Sequence, residues 1–457
     1  MLDDIKVAAK VALDFSYADY HTDCLMKIKD NCYSTFFSLI KECKIINNSA
    51  KTFNELVVRI TFSNSDILKI DEINIKQVSS YSELVLRIPF LKVNRAKLEE
   101  VTEAIAVAAK FELLDASNKL LSDVEYSFRV LPISQPSSNI LDDFRLYAKY
   151  VTPLASGVKQ IALNAIKYND NRSIIAYQNK GEDKYNNMLK EAQALYLALH
   201  AHGIAYQNPP ASGLYTQRLR MPMEVLNDKK GTCIDLAILY CACLLEVGYN
   251  PILVIIDGHA FAGFFLEDNV SFPNSIEKTC AKVYNRATGG FKEIVLVECT
   301  TYTATYNVSF NEALNLGINN IKGYNGNIFN AIDLASAHKG IFSPIPLDND
   351  DNELELLIKP REIENKKLDS IAMTKYIDVS KTYEQDRFTF WERKLLDLTE
   401  ANPLVNFRLK LSNCLKLTAN ENIYDMLVDA NSLKLAVMPE NYSDASIAKE
   451  FEKGLDR

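Results

Sequence analysis

Apolar and polar residues partly alternate along FNELVVRITF (53–62) and SYSELVLRIPF (80–90), and VAAKFELL (107–114) and DVEYSFRVLPI (123–133) are equally rich in β-formers. Alternation sends successive side chains to opposite faces of a strand. Turn-like polar spacers separate these runs, and short strands at this spacing predict a β-sandwich of immunoglobulin-like type over residues 1–134. The first 50 residues predict one helical piece and one strand entering the same sandwich. ISQPSSN (133–139) breaks the composition and reads as a linker. Beyond it the period changes: ILDDFRLYAKYVTPLASGVKQIALNAI and EDKYNNMLKEAQALYLALHAHGI repeat apolar residues every three or four positions. Both predict helices, with Asn139 or Asp142 placed to cap the first and Gly203 to end the second.

YQNPPASGLYTQRLRMP (206–222) predicts a loop. A long helix is expected from Cys233, with Ile234, Ile238, Cys241 and Leu245 on a wide apolar stripe. ILVII (252–256), HAFAGFFL (259–266) and EIVLVECT (293–300) predict strands of one sheet, with a long connection at 268–292. Helix followed by strands makes the fold class α+β. Residues 347–387 lie in a charged stretch with early prolines and read as a linker. FTFWERKLLDLTEANPLVNFRLK (388–410) opens the C-terminal segment, 388–457, as an amphipathic helix that passes into an extended Asn-Pro stretch and holds the only tryptophan, Trp391.

Composition narrows the function classes. A chain of 457 residues, 48% hydrophobic and 24% charged, has ample material for a core and for two to four domains. No apolar run approaches the roughly 20 residues that cross a bilayer. MLDDIKVAAK lacks the unbroken apolar stretch of a secretory signal, so a cytoplasmic protein without a membrane partner is expected. A net charge of −8 argues against direct nucleic-acid binding. The nine cysteines are odd in number and irregular in spacing, which predicts neither a disulfide framework nor a zinc site. No metal and no cofactor is expected.

Most free cysteines are small buried hydrophobes, and that reading applies to most of these. Cys233 differs in context. GTCIDLAILY (231–240) puts it in a first helical turn, where unpaired N–H groups favour an anion, and a nearby imidazolium would favour the thiolate further. Asp235 would support the helix and oppose the thiolate slightly. In DGHAFAGFF (257–265), His259 opens a strand after a tight Asp-Gly step. In IVLVECT, Glu298 ends a run that is otherwise apolar, where a carboxylate needs a partner. A histidine alone is usually a hydrogen-bonded structural group, and a strand-end glutamate usually a surface one. Together the three supply a nucleophile, a base and an orienting acid.

GTCIDLAILY, DGHAFAGFFL and VECTTYT resemble the transglutaminase-like superfamily of papain-fold cysteine enzymes. The resemblance implies a papain-like domain over 140–346 with Cys233 as nucleophile, His259 as base and Glu298 as third member. The superfamily's common third residue is Asp, so Glu298 departs from it by one methylene. NPPASG, QRLRMP, GTCIDLAILY and GHAFAG together resemble, more narrowly, the transglutaminase-like region at the front of large bacterial helicase–nuclease proteins, some of them in antiphage systems. AIDLASAHKGIFSPIP (331–346) resembles the segment closing that region, and WERKLLDLTEANPLVNFR (391–408) the opening of the next, helicase-associated one. GxxxxGK[ST] occurs nowhere, so no P-loop motor is expected in this chain, which reads as a short family member or the front of a longer one.

Papain-fold enzymes often bind the oxyanion with a Gln side chain and the nucleophile's own N–H. Gln217 is the candidate here, with Arg220 beside it in the cleft; the bland alternative makes QRLRMP a structural loop whose Arg meets a core carboxylate. Asp257 is expected to cap the turn before His259, and Asp333 and His338 to stabilise the closing segment. The leading expectation is a thiol acyl-transfer enzyme acting on a protein or peptide, either a protease or amidase or, if an amine resolves the thioester, a transglutaminase. The competing one is a catalytically idle interaction or autoinhibitory module whose partner carries helicase or nuclease activity.

Overall fold

The computed structural model describes residues 4–30, 38–208, 217–289, 292–306 and 308–346. The linker, Trp391 and the C-terminal segment expected from 347 onward lie outside these residues, as does most of NPPASG.

The N-terminal region contains β1 (Ile5–Val11), β2 (Asp14–Phe15), α1 (Tyr17–Asp30), β3 (Ile40–Asn47), β4 (Phe53–Phe62), β5 (Ile73–Val78), β6 (Ser82–Val85), β7 (Ile105–Leu114) and β8 (Leu120–Val130). One sheet has the order β1-β3-β6 and a second the order β2-β8-β7-β4-β5. All these pairs are antiparallel except the short β2–β8 contact. Alternation decides the faces: Leu56, Val58, Ile60 and Phe62 of β4 and Val107, Ala109, Phe111 and Leu113 of β7 are buried in one core. The first 50 residues hold a helix with a strand on either side, one strand more than expected, besides the short β2. β5 went unforeseen because it is a sheet edge, where only Ile75 and Val78 are buried. β6 is shorter than SYSELVLRIPF suggested; the ladder ends before Pro89, which has no N–H to offer.

The helix expected from residue 140 begins only at Ser156. Ser138–Leu141 and Phe144–Tyr150 form 3-10 turns, and α2 (Ser156–Ala165) follows. Pro153 lacks the N–H that a continuous helix would need there. The caps are Ser137 and Asp143, which accept from the N–H groups of Asn139 (3.2 Å) and Arg145 (3.0 Å), in place of Asn139 or Asp142. The second expected helix is α3 (Lys184–His202), ended by Gly203 in the left-handed region at φ 77°. Next come α4 (Pro222–Asp228) and α5 (Cys233–Glu246). Every residue of α5 from Ile234 to Leu244 is buried, as suits a helix that is apolar all round.

A five-stranded antiparallel sheet follows. Its members are β9 (Pro251–Ile256), β10 (His259–Phe265), β11 (Ile276–Glu277), β12 (Ile294–Val297) and β13 (Phe329–Asp333), in the order β11-β13-β9-β10-β12. Leu253, Ala260 and Ala262 belong to the core that contains α5, while Ile252, Val254 and Phe261 belong to a second core. Burial on both faces is why these strands read as unbroken apolar runs. Three differences from expectation matter. β12 stops at Val297, not Thr300, because Glu298 caps a 3-10 turn, Cys299–Tyr302. The connection at 268–292 contains β11 and α6 (Cys280–Thr288). The closing segment begins with β13, paired to β9, before α8 (Leu334–His338); α7 (Phe310–Asn319) precedes it.

That closing segment is clamped. Lys149, fully buried, donates from Nζ to the carbonyls of Ile341 and Ser343, at 3.1 Å each. Burial pushes its ammonium down to about 7. His338 Nε2 donates to the Ala148 carbonyl at 2.8 Å, and Asp333 caps α8 through the N–H of Ser336 at 3.0 Å. Helix and strand are mixed through the described residues, consistent with an α+β protein, and no described helix is long and apolar enough to cross a membrane.

Candidate active site

Cys233 is the first residue of α5 and is half-buried, whereas Cys43, Cys241, Cys243 and Cys299 are buried. The N–H groups of a first helical turn have no backbone partners within the helix, and the thiol sits at that end of α5. The start of α5 is held from behind. The Thr232 N–H donates to Asp235 Oδ2 at 3.0 Å. The Arg220 N–H reaches Asp235 Oδ1 at 2.8 Å, and the Arg220 guanidinium reaches Oδ2 at 3.2 Å. Asp235 has no exposed side-chain surface, so its charge is balanced where it lies rather than left to oppose a thiolate. Arg220 thus meets a core carboxylate. Gln217 sits beside it, donating from Nε2 to Thr232 Oγ1 at 3.0 Å, one residue from the sulfur.

His259 begins β10 after a two-residue turn in which Gly258 takes φ 71°, a conformation that side-chain-bearing residues adopt poorly. The ring hydrogen-bonds through Nε2 to Glu298 Oε2 at 2.7 Å and lies close enough to Cys233 to respond to its charge. With Nε2 occupied by the carboxylate, Nδ1 is the nitrogen that remains for sulfur. Burial alone would lower the imidazolium's pKa; the nearby Cys233 and the Glu298 carboxylate outweigh it and raise it to about 10. Phe261 flanks the ring at 6.0 Å between centroids.

Glu298 is nearly fully buried, and every polar contact it makes suits an anion. Besides His259, Oε2 accepts from Asn320 Nδ2 at 2.6 Å; Oε1 accepts from the Thr300 N–H at 3.0 Å and the Thr300 hydroxyl at 2.7 Å. Burial raises its pKa, yet the His259 imidazolium and the two Thr300 donors prevail and hold the carboxyl below its ordinary range. Tyr302, at the end of the turn that Glu298 caps, donates from its hydroxyl to the Leu236 carbonyl of α5 at 2.8 Å. The acid is therefore fastened to the helix that carries the sulfur.

Four neighbours had not been singled out from sequence. Thr300 was detectable, since a hydroxyl two residues after an acid is a common local partner. Asn320 gives no local signal. Tyr147 and Tyr206 lie near enough to Cys233 to feel its charge; burial first, then that charge, pushes the Tyr147 phenol up to about 12 and raises Tyr206 as well. Asp257, expected to cap the turn before His259, instead reaches across: Oδ2 accepts from the Tyr324 hydroxyl at 2.7 Å and the Asn327 N–H at 2.7 Å, which joins that turn to the loop after α7. Among the described residues no group of three His, Cys, Asp or Glu side chains could hold a metal ion.

Residues 148–269 match the family model of a transglutaminase-like domain, which supports the transglutaminase-like superfamily for this part of the chain. Proteins of that kind are usually cysteine-based enzymes with a papain-like fold. No curated protein matches. Among solved structures, native alpha-2-macroglobulin from Escherichia coli, spanning domain MG7 to the C-terminus, is 14% identical with a TM-score of 0.14. That match covers 36% of this chain and 32% of the other, and at this score it carries no argument.

Proposed function

We propose that this protein is a thiol acyl-transfer enzyme with a Cys233–His259–Glu298 triad. The carrying observation is that one imidazole hydrogen-bonds to a buried carboxylate and lies close enough to the Cys233 thiol to respond to its charge. Cys233 sulfur adds to an amide or ester carbonyl carbon as His259 takes its proton. Collapse breaks the bond to the leaving group, which receives that proton from His259, and a thioester remains. Water then adds with His259 as base, the C–S bond breaks, and the acid and the free thiol are released. Glu298 holds the ring in register and stabilises its charged form. We assign the oxyanion to the Cys233 N–H and the second N–H of the Gln217 amide; loss of one such donor typically costs about 100- to 1,000-fold. Water as acceptor makes the enzyme a protease or amidase acting on a protein or peptide, whereas an amine acceptor would make it a transglutaminase. The placement in an antiphage system with a helicase–nuclease partner rests on the resemblance of NPPASG, QRLRMP, GTCIDLAILY and GHAFAG, with AIDLASAHKGIFSPIP and WERKLLDLTEANPLVNFR beside them.

The test is competitive alkylation with iodoacetamide, read cysteine by cysteine by mass spectrometry. Burial pushes the Cys43 thiol up to about 11 and those of Cys241 and Cys299 well above their usual range, so these should be silent in the folded protein. Cys233 is expected to react fastest and to remain reactive below pH 7, with His259→Ala abolishing the difference. Equal rates at Cys233 and the half-buried Cys24 and Cys280 would instead favour an idle interaction module. N-terminal proteomics of cells expressing wild type or Cys233→Ser would then identify the cleaved substrate.

A further inference from the structure

Glu298 stands where this superfamily commonly has Asp, and its arm is longer by one methylene. An extra rotatable bond lets a carboxylate wander unless something fixes it. Thr300 holds Oε1 from the residue's own turn, and that contact leaves Oε2, the oxygen that serves His259, to be placed by another group.

The other group comes from α7. Ala313, Gly317 and Asn320 fall at spacings that share one helical face. The first of them accepts the Glu298 N–H on its carbonyl at 3.0 Å. Gly317 lets the helix approach closely: a Cβ there would lie 2.8 Å from the Leu296 carbonyl carbon and 2.9 Å from the Val297 nitrogen. The helix therefore rests on the backbone of β12, immediately before Glu298. Its last turn then brings Asn320 Nδ2 within 2.6 Å of Glu298 Oε2. The chain beyond Asn320 runs to Tyr324, Asn327 and Ile328, which hold Asp257, two residues before His259. One continuous segment, 313–328, thus grips the acid at one end and the turn that carries the base at the other.

We infer that Asn320 is a positioning residue of this site, whose amide N–H fixes Glu298 Oε2 against the His259 ring and so accommodates a glutamate at the third triad position. This rests on the Cys–His–Glu reading. The amide does so as a neutral donor: it favours the carboxylate form without adding a charge that would compete with the imidazolium for it. An acid at the same place would do the opposite, because two carboxylates within hydrogen-bonding distance do not both ionise readily.

The experiment is the pH dependence of Cys233 alkylation by iodoacetamide from pH 5 to 9 in wild type, Asn320→Asp, Asn320→Ala and Asn320→Ser, beside thermal unfolding of each. For Asn320→Asp the rate is expected to stay within about two-fold of wild type at pH 5, where the pair shares a proton and the new acid donates to Glu298 as the amide did, and to fall about ten-fold by pH 9, where both carboxylates are ionised and repel. The alanine variant, which has neither donor nor charge, should instead lose reactivity in the acidic range, and serine, which keeps a shorter donor, should recover part of it. A wild-type profile in all three variants would overturn the inference, as would an equal loss at every pH together with a lowered unfolding temperature, the mark of a merely structural contact. Should wild-type Cys233 itself show no excess reactivity over Cys24 and Cys280, the triad reading falls first, and the inference with it.

Discussion

The ring Nε2–H of His259 donates to Glu298 Oε2 across 2.7 Å, and that carboxylate is buried among donors from three different segments of the chain. A buried anion with this many donors is a fixed reference point against which a histidine can be aimed. The geometry makes the carboxylate, rather than the imidazole, the less mobile member of the pair.

Replacing that anion tests its role. Glu298→Gln can keep hydrogen bonds to Thr300 but removes the charge that stabilises the imidazolium. Turnover of whatever substrate proteomics yields should fall by about 100-fold or more, the scale of a disabled general base. Glu298→Asp should also lose activity, because the shorter arm cannot reach His259, Asn320 and Thr300 together. Aspartate activity equal to wild type would show that the longer side chain is not required here.

Stability should carry the same signature. The His259 pKa rises from 6.5 to about 10 on folding. Its contribution to stability is therefore complete below pH 6.5 and is lost as the pH climbs to about 10. Glu298 is ionised throughout that window whether folded or not, so it adds no slope there. Urea denaturation at pH 6.5 and pH 10 should show a smaller loss for Glu298→Gln than for wild type; identical losses would contradict the assigned coupling.

Arg220 should prove structural in the first instance. Arg220→Met leaves the fully buried Asp235 carboxylate without its cation, and breaking such a pair costs about 3 kcal/mol. Chemical denaturation measures this. Since Asp235 also holds the Thr232 N–H, alkylation of Cys233 should slow in the same variant.

Gly317→Ala addresses the contact between α7 and β12. The added methyl would press on the Leu296–Val297 backbone, which cannot turn aside as a side chain can. Overpacking of this kind typically costs about 1–3 kcal/mol. Cys233 reactivity at acidic pH should fall with it, as Glu298 is displaced.

Legibility followed locality. β4 was readable from end to end because its alternation is set by its own two faces, and α5 because its buried surface is contiguous in sequence. The edge strand β5 was missed, having few apolar residues to bury. Residues 140–150 read as α-helix by period, yet Ser137, Asp143 and Pro153 make them 3-10 turns. Among the site residues, Cys233, His259 and Glu298 stood out because each sits at the end of an element whose pattern is otherwise apolar. Gln217 and Arg220 were picked from their loop, and what they contact, Thr232 and Asp235, could not be read from it.

What the sequence determined alone was chemistry in place along the chain: a thiol at a helix start, an imidazole after an Asp-Gly turn and a carboxylate at a strand end, each fixed by short-range rules of caps, turns and alternation. Only the tertiary structure decided which carboxylate oxygen meets the ring and which amide steadies it. Those partners are supplied by segments far apart in the chain. Their meeting depends on how closely a glycine lets one helix approach one strand, and no local pattern encodes that distance.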